Sequence, residues 1–297
     1  MENNKNLEVF SSMPVPKAVM KNALPAMAAM LMVLVYNLAD TFFIGQTHNA
    51  LLVAAVSLAT PVYLIFMSIG TLFGIGGTSV ISRALGEGKK EKAKKSCAFC
   101  FWGCVFVGIL LVAFILIFID PILNLIGASA DTYEYAKSYL SIIVFAGPFV
   151  LISNCYGNVI RTEGESGKAM LGLLLGNLVN VILDPIFILA LGLDIKGAAI
   201  ATVIGNIVGA GFYISYFLKG NSMLSIRLKD FTVKQGIAAS VLAIGVPAAL
   251  GDALMSVSHI ISNSQMAHYG DMAVADVLSI LIAAILFRKT MKKMQIM

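Results

Sequence analysis

The sequence is short of charge: Asp, Glu, Lys and Arg together make up 12% of its 297 residues, against about 25% in an average soluble chain. It is also poor in the residues from which enzymes assemble sites, with three His and one Trp. No nucleophile–base set, phosphate-binding glycine loop or metal-ligand spacing is found, so an enzyme is the least favoured class. Nor are there ~10-residue alternating segments of the kind that build a transmembrane β-barrel. The amino-terminal stretch Met1 to Lys21 is polar and mixed. It has neither the short apolar core nor the small-residue cleavage site of a secretory signal, and the expectation is a retained cytoplasmic segment.

What is abundant is apolar surface. Hydrophobic residues reach 59%, mean hydropathy is +0.88, and the excess must face something other than water. Apolar runs recur at lengths that suit a hydrocarbon core of ~30 Å, which takes about 20 helical residues. Helices satisfy their own backbone polar groups in lipid. The expected fold class is therefore all-α, a polytopic membrane protein with about eight spans. These are placed at Ala23–Ile44, Val53–Ile81, Ala98–Ile119, Tyr139–Ile160, Ala169–Leu191, Ala198–Phe217, Ile237–Gln265 and a short last one at Met272–Phe287.

The basic residues test that layout. Of the 21 Lys and Arg, 19 fall on one side of the eight-span arrangement, and only Lys137 and Lys196 fall on the other. Positive residues stay cytoplasmic, so both termini are expected inside, in a plasma-membrane, multi-pass chain. The net charge of +5 is thus a topology signal, and no nucleic-acid partner is expected. Four cysteines, Cys97, Cys100, Cys104 and Cys155, lie in or beside apolar runs. Cys97 and Cys100 form a CxxC pair, but no second pair or nearby His supports zinc. They read as small packed hydrophobes.

Small residues recur at packing distance, as Gly70-xxx-Gly74 and Gly205-xxx-Gly209, where helix backbones can approach closely in lipid. A hinge at Gly74, Gly76 and Gly77 is a weaker reading. A repeat is also visible. Asn22-Ala-Leu-Pro25-Ala opens the first span and Ile244-Gly-Val-Pro247-Ala the seventh, each leaving a basic segment. Repeated halves are common in transporters, with sites at their interface.

Two carboxylates inside spans carry the chemistry. An ionisable residue at the membrane centre costs about 2.5–3.5 kcal/mol on the mildest scale and marks a function by default. Asp40 and Asp184 lie ~24–29 Å along their helices from the basic anchors Lys21 and Lys168, at ~1.5 Å per residue, so they share one depth. Asn180 is one turn before Asp184 on the same face. Pro185 removes a backbone donor and frees the carbonyl of Val181. Thr202 reaches the same level from the sixth span. Asp40, Asn180, Asp184 and Thr202 thus form a candidate oxygen-ligand cluster for a hard cation such as sodium. Tyr36, Asn37, Asn154 and Asn177 are the candidate cavity-lining or supporting polar residues. Removal from water favours the neutral acid, and a carboxyl so placed can exchange a proton for a cation, the coupling logic of an antiporter. The bland alternatives are an interfacial Asp40 facing water, Asn180 as interhelical glue and Thr202 bonded to its own helix. His259, mid-way along the seventh span, reads as a packed neutral His in preference to a proton relay.

Several stretches, in order, resemble the multidrug and toxic compound extrusion (MATE) transporters. They are Asn22-Ala-Leu-Pro25-Ala through Asn37-Leu-Ala-Asp40-Thr-Phe-Phe-Ile-Gly45, Gly77 through Ser82-Arg83-Ala-Leu-Gly86-Glu-Gly88, Arg161-Thr-Glu-Gly164, Asn177 through Asn180-Val-Ile-Leu-Asp184-Pro185, and Lys196 through Thr202. The resemblance implies two six-helix lobes and efflux of small amphipathic, often cationic compounds, driven by a sodium ion or proton gradient without a cofactor. It puts the coupling site of prokaryotic members on Asp40, Asn180, Asp184 and Thr202, a Tyr near it at Tyr139, and a kink-forming proline at Pro25. Pro185 and Pro247 are the other expected kinks. The implied domains are a cytoplasmic segment 1–22, a six-helix amino-terminal lobe 23–218, a cytoplasmic linker 219–236 and a partial second lobe 237–297. The segment from Gln235 resembles the family's seventh helix and that from Ala275 its last, so the eighth to eleventh are expected to be missing. Two other readings stand beside the antiporter. One is a non-transporting membrane remnant or interaction subunit. The other is a lipid-linked oligosaccharide flippase, disfavoured because the spans carry almost no Arg or Lys to meet a diphosphate.

Overall fold

A computed structural model describes residues 14–269 apart from 221 and 235, with no account of the side chains of 264–269. Every regular element among the described residues is helical. They are α1 (Val15–Gly45), α2 (Ala50–Gly86), α3 (Lys90–Ile117), α4 (Ile119–Leu125), α5 (Tyr133–Ile143), α6 (Gly147–Val159), α7 (Ser166–Asp184), α8 (Asp194–Leu218) and α9 (Ile237–Tyr269). Seven helical stretches are long and apolar enough to cross a membrane, with α5 and α6 joined in one of them, Tyr133–Glu163. They correspond to the first seven expected spans. The eighth, Met272–Phe287, lies outside the described residues.

Local chemistry explains the breaks. Asn49 caps α2, its side chain accepting from the Leu51 N–H at 3.0 Å, which satisfies one of the orphan donors of a helix start. The α5–α6 span passes through a 3₁₀ turn at Val144–Ala146, just before Pro148, which cannot supply the next donor. Gly164, at φ 79°, turns the chain from that span into α7 in a conformation that favours glycine. At the far end of α7, Pro185 opens a π-helical turn, Pro185–Ala190. The lost N–H at Pro185 widens the helix where a π-turn is found. Pro25 and Pro247 lie inside continuous helices, α1 and α9.

The core is built from α2, α3, α6 and α8. The four cysteines are free and fully buried. Tyr156 sits among them, donating from its hydroxyl to the Cys97 carbonyl at 2.9 Å, with ring neighbours Phe101 and Phe217 at 5.7 and 5.0 Å. The expected small-residue contacts form. Gly70 and Gly74 face α6, where a Cβ would meet Asn154 Cβ at 2.9 Å and Cys155 Cα at 3.1 Å. His259, by contrast, is exposed on α9 and is not the packed His expected, because α9 turns its other faces to α2.

That α2–α9 contact is the tightest in the fold. Gly76 lies against the Val241 carbonyl and Gly245 against the Leu72 carbonyl, each too close for a Cβ. Ser68 and Ser256 donate across the seam to the carbonyls of Ala249 and Pro61, both at 2.8 Å. Such close approach of backbones is how helices associate in lipid, where burial of apolar surface adds little. Gly245→Leu is therefore expected to force the helices apart at a cost of about 1–3 kcal/mol or more. Thermal unfolding in detergent would show it as a midpoint several degrees lower, whereas Gly251→Leu, which meets nothing within 4 Å, leaves the midpoint unchanged.

Candidate functional site: a buried carboxylate cluster between α1, α7 and α8

The site begins with backbone contact. Gly176 of α7 and Gly205 of α8 face each other so closely that a Cβ on Gly205 would sit 2.7 Å from the Gly176 carbonyl oxygen and 3.0 Å from Asn180 Cβ. The glycines draw the two helices together one turn away from Asn180 and Thr202. Asn180 is 2% exposed, Thr202 4% and Asp184 0%. An uncapped carboxylate, an amide and a hydroxyl are thus enclosed together.

Their hydrogen bonds form a line. The Asn180 amide nitrogen lies 3.1 Å from Thr202 Oγ1. With the amide turned over, the nitrogen donates to Asp184 Oδ2 at 3.1 Å, while the amide oxygen accepts from Thr202 Oγ1 at 3.1 Å and from the Thr202 N–H at 3.0 Å. The second arrangement pairs Asn180 with both Asp184 Oδ2 and Thr202, and a carboxylate acceptor needs a donor facing it. Asn180 is thereby the coupler between carboxylate and hydroxyl. The bond to Thr202 also joins α7 to α8, as the interhelical reading of Asn180 expects.

Asp40 approaches from α1, close enough to act electrostatically on Asp184. It is part-buried, so it is not the water-facing helix-end carboxylate of the bland reading. Asp40 Oδ1 and Asp184 Oδ1 are buried without a hydrogen-bond partner. Unpaired buried carboxylate oxygens are expensive. Asn177 Nδ2 and Ser153 Oγ, on neighbouring turns, are buried and unpartnered too.

Two cavities flank the cluster. One of about 160 Å³ is lined by Tyr36, Asn37, Asp40, Thr60, Tyr63 and Tyr139, among others, and reaches Thr202. The other, about 50 Å³, opens on Asn177, Asn180, Ser153 and Asn206. Tyr36, Tyr63 and Thr202 line both. Waters need only ~10–15 Å³ each by this measure, so both can hydrate a small ion. Neither approaches the ~300–1,000 Å³ of a drug-sized pocket.

Of the supporting residues expected from sequence, Tyr36, Asn37, Tyr139 and Asn177 line these cavities. Asn154 does not: it donates to the Met67 carbonyl at 2.8 Å and to Thr71 Oγ1 at 3.1 Å, bridging α6 to α2. Tyr63, Ser153 and Asn206 are additions. They are neutral polar residues like others in these spans, and the packing of the helices is what turns them toward the cavities. Asp252 is a further addition and did carry a signal, a carboxylate within a span. It accepts from the Thr71 hydroxyl at 2.7 Å, so Asn154, Thr71 and Asp252 run as a polar chain from α6 through α2 to α9.

The comparisons with known proteins agree with this architecture. The MatE family model matches residues 25–186. The chain is 33% identical over 272 residues to the multidrug export protein MepA of Staphylococcus aureus, a match covering 92% of this chain and 60% of that protein. MepA of Staphylococcus haemolyticus gives the same identity and coverage. Among solved structures, the outward-facing conformation of a multidrug resistance MATE family transporter of the MOP superfamily superposes with a TM-score of 0.82 at 28% identity, covering 93% of this chain and 61% of that one. The inward-facing conformation gives 0.75 at 28% identity, covering 82% and 56%. The fold is that of a polytopic membrane protein of the MATE transporter type. The chain belongs to the MatE family. It spans about 60% of the length of the curated relatives it matches.

Two outcomes follow from the geometry. Thr202→Val leaves the Asn180 amide facing a methyl group and is expected to cost about 1–3 kcal/mol; the thermal midpoint falls and Thr202→Ser restores it. A double-mutant cycle of Thr71→Val and Asp252→Asn should return a coupling of about 0.5–3 kcal/mol, the range for residues in one network. Strict additivity would show that the 2.7 Å bond contributes nothing to joining α9 to α2.

Proposed function

We propose that the chain acts in cation-coupled antiport, exporting small amphipathic compounds against binding of sodium or a proton at Asp40, Asn180, Asp184 and Thr202. The observation that carries this reading is the pair of unpartnered buried carboxylate oxygens, Asp40 Oδ1 and Asp184 Oδ1, beside the saturated Asn180–Thr202 contact. Oxygen ligands of this kind suit a hard cation, and the same carboxyls accept protons in its place. Like charges brought together cannot both remain ionised without a cation. Ion and proton therefore compete for one site, which is what coupling requires. The family membership and the similarity to proteins named for multidrug export support the same direction.

The exported compound is placed outside the two small cavities, which are below drug size. It belongs in the cleft that a second lobe closes against α1 and α2. Long apolar residues of α1 stand open there, Met30 and Leu38 each 72% exposed. In this reading residues 23–218 form the complete ion-binding lobe, 219–236 a linker on the cytoplasmic face, and 237–297 a partial second lobe, with both termini cytoplasmic in the plasma membrane. The shortness of the chain relative to its relatives favours one alternative, a membrane subunit that binds ions without transporting.

Substrate-coupled cation flux in proteoliposomes decides between them. Antiport predicts flux from the full chain and its loss, by tenfold or more, in Asp184→Asn. Persistent coupled flux in that variant removes the site assignment, and absence of flux from both chains favours the non-transporting subunit.

A further inference from the structure

A basic face of the molecule carries a third cavity, apart from the two beside the carboxylate cluster. It holds about 370 Å³ and lies between the first turns of α3 and the linker from α8 to α9, with Lys94, Arg227 and Lys229 on its walls. The two acids that share it are already engaged. Glu91 pairs with Lys94 at 3.1 Å, and Asp230 accepts from the Ser225 hydroxyl. Arg227 and Lys229 belong to none of the four ion pairs found among the described residues. The start of α3 adds to the positive potential, since its cap residue Lys89 gives no side-chain hydrogen bond and helix N-termini favour anions.

Apolar side chains stand beside these cations. Leu228 is 64% exposed, Val233 59% and Leu218 69%. A surface meant for water alone has no reason to alternate Arg227-Leu228-Lys229 in this way. At a membrane interface the pattern is expected: apolar residues enter the acyl boundary while long cations reach the phosphates.

The linker is also a built structure. The carboxylate of Glu163, 4% exposed, accepts from the Ser222 hydroxyl at 2.8 and 2.9 Å, the Met223 N–H at 2.8 Å and the Tyr216 hydroxyl at 3.2 Å. Trp102 Nε1 donates to the Ile226 carbonyl at 3.2 Å. Phe231 stacks on Phe99 of α3, centroids 6.2 Å apart. These contacts hold Arg227, Leu228 and Lys229 in fixed relation to α3.

We propose that this cavity binds the headgroup of an anionic phospholipid from the surrounding bilayer, with Arg227 and Lys229 on the phosphate and Leu228 and Val233 among the acyl chains. A free phosphate would match the cations and leave the apolar residues unexplained. The lipid matches both.

Native mass spectrometry of the full chain released from detergent tests this, with phosphatidylglycerol and phosphatidylcholine of identical acyl chains titrated in parallel. The expected result is preferential retention of phosphatidylglycerol. Retention should fall roughly thirtyfold in the Arg227→Gln/Lys229→Gln variant, the scale of two surface cations near a membrane. It should also fall in Leu228→Ser/Val233→Ser, whose charges are intact, so two independent variants read the same site. Equal retention of phosphatidylcholine overturns the proposal, as does phosphatidylglycerol binding indifferent to both variants. Displacement by millimolar inorganic phosphate, with the Leu228→Ser/Val233→Ser variant unaffected, overturns it in favour of a soluble anion.

Discussion

The structure depends on the approach of α7 to α8. Two glycines, Gly176 and Gly205, bring the backbones into contact, and that contact encloses Asn180, Asp184 and Thr202. A side chain at either glycine would hold the helices apart, and the amide could no longer reach both the carboxylate and the hydroxyl. Everything electrostatic in the site follows. The carboxylate is tolerated inside an apolar bundle because the Asn180 amide, itself held by Thr202, satisfies part of it. The part left over is what can act.

The cost of that leftover polarity sets the division of labour in the lobe. Both buried unpaired carboxylate oxygens found among the described residues lie on α1 and α7, while much of the remaining core is closed by cysteines, aromatic rings and small residues. Pro185 contributes by opening the π-turn directly after Asp184, a distortion that recurs at functional positions in helices. The second seam, α2 against α9, is made differently. It relies on glycine–carbonyl contacts and on the Asn154–Thr71–Asp252 chain. One seam encloses the carboxylate cluster and the other joins α9 to α2, and α2, α6 and α8 connect them.

Much of this was legible in the sequence because membranes make polarity conspicuous. The seven described spans follow from apolar length, and Asp40, Asn180, Asp184 and Thr202 from charge or hydrogen-bonding groups in apolar runs at matched depth. Tyr63, Ser153 and Asn206 carry hydrogen-bonding groups too, but the spans hold many neutral polar side chains, and which of them face the cavities is set by how the helices pack. Asn154 was read as a cavity residue because its type is right, but its partners are set by which face of α6 meets α2, a tertiary fact. Asp252 was visible as a charge, yet its partner Thr71 is 181 positions away, beyond any local pattern. Glu163 was visible only within a family-like motif, while its purpose, fixing the linker through Ser222 and Met223, needs the folded chain.

The central claim is that Asp184, supported by Asn180 and Thr202, is an exchangeable carboxyl. Difference infrared spectroscopy of the reconstituted chain reads this directly, through the carbonyl stretch of a protonated carboxylic acid. The account predicts a band that vanishes when sodium is added or the pH is raised, and that is missing in Asp184→Asn. A spectrum without such a band, or one that Asp184→Asn leaves unchanged, would contradict it.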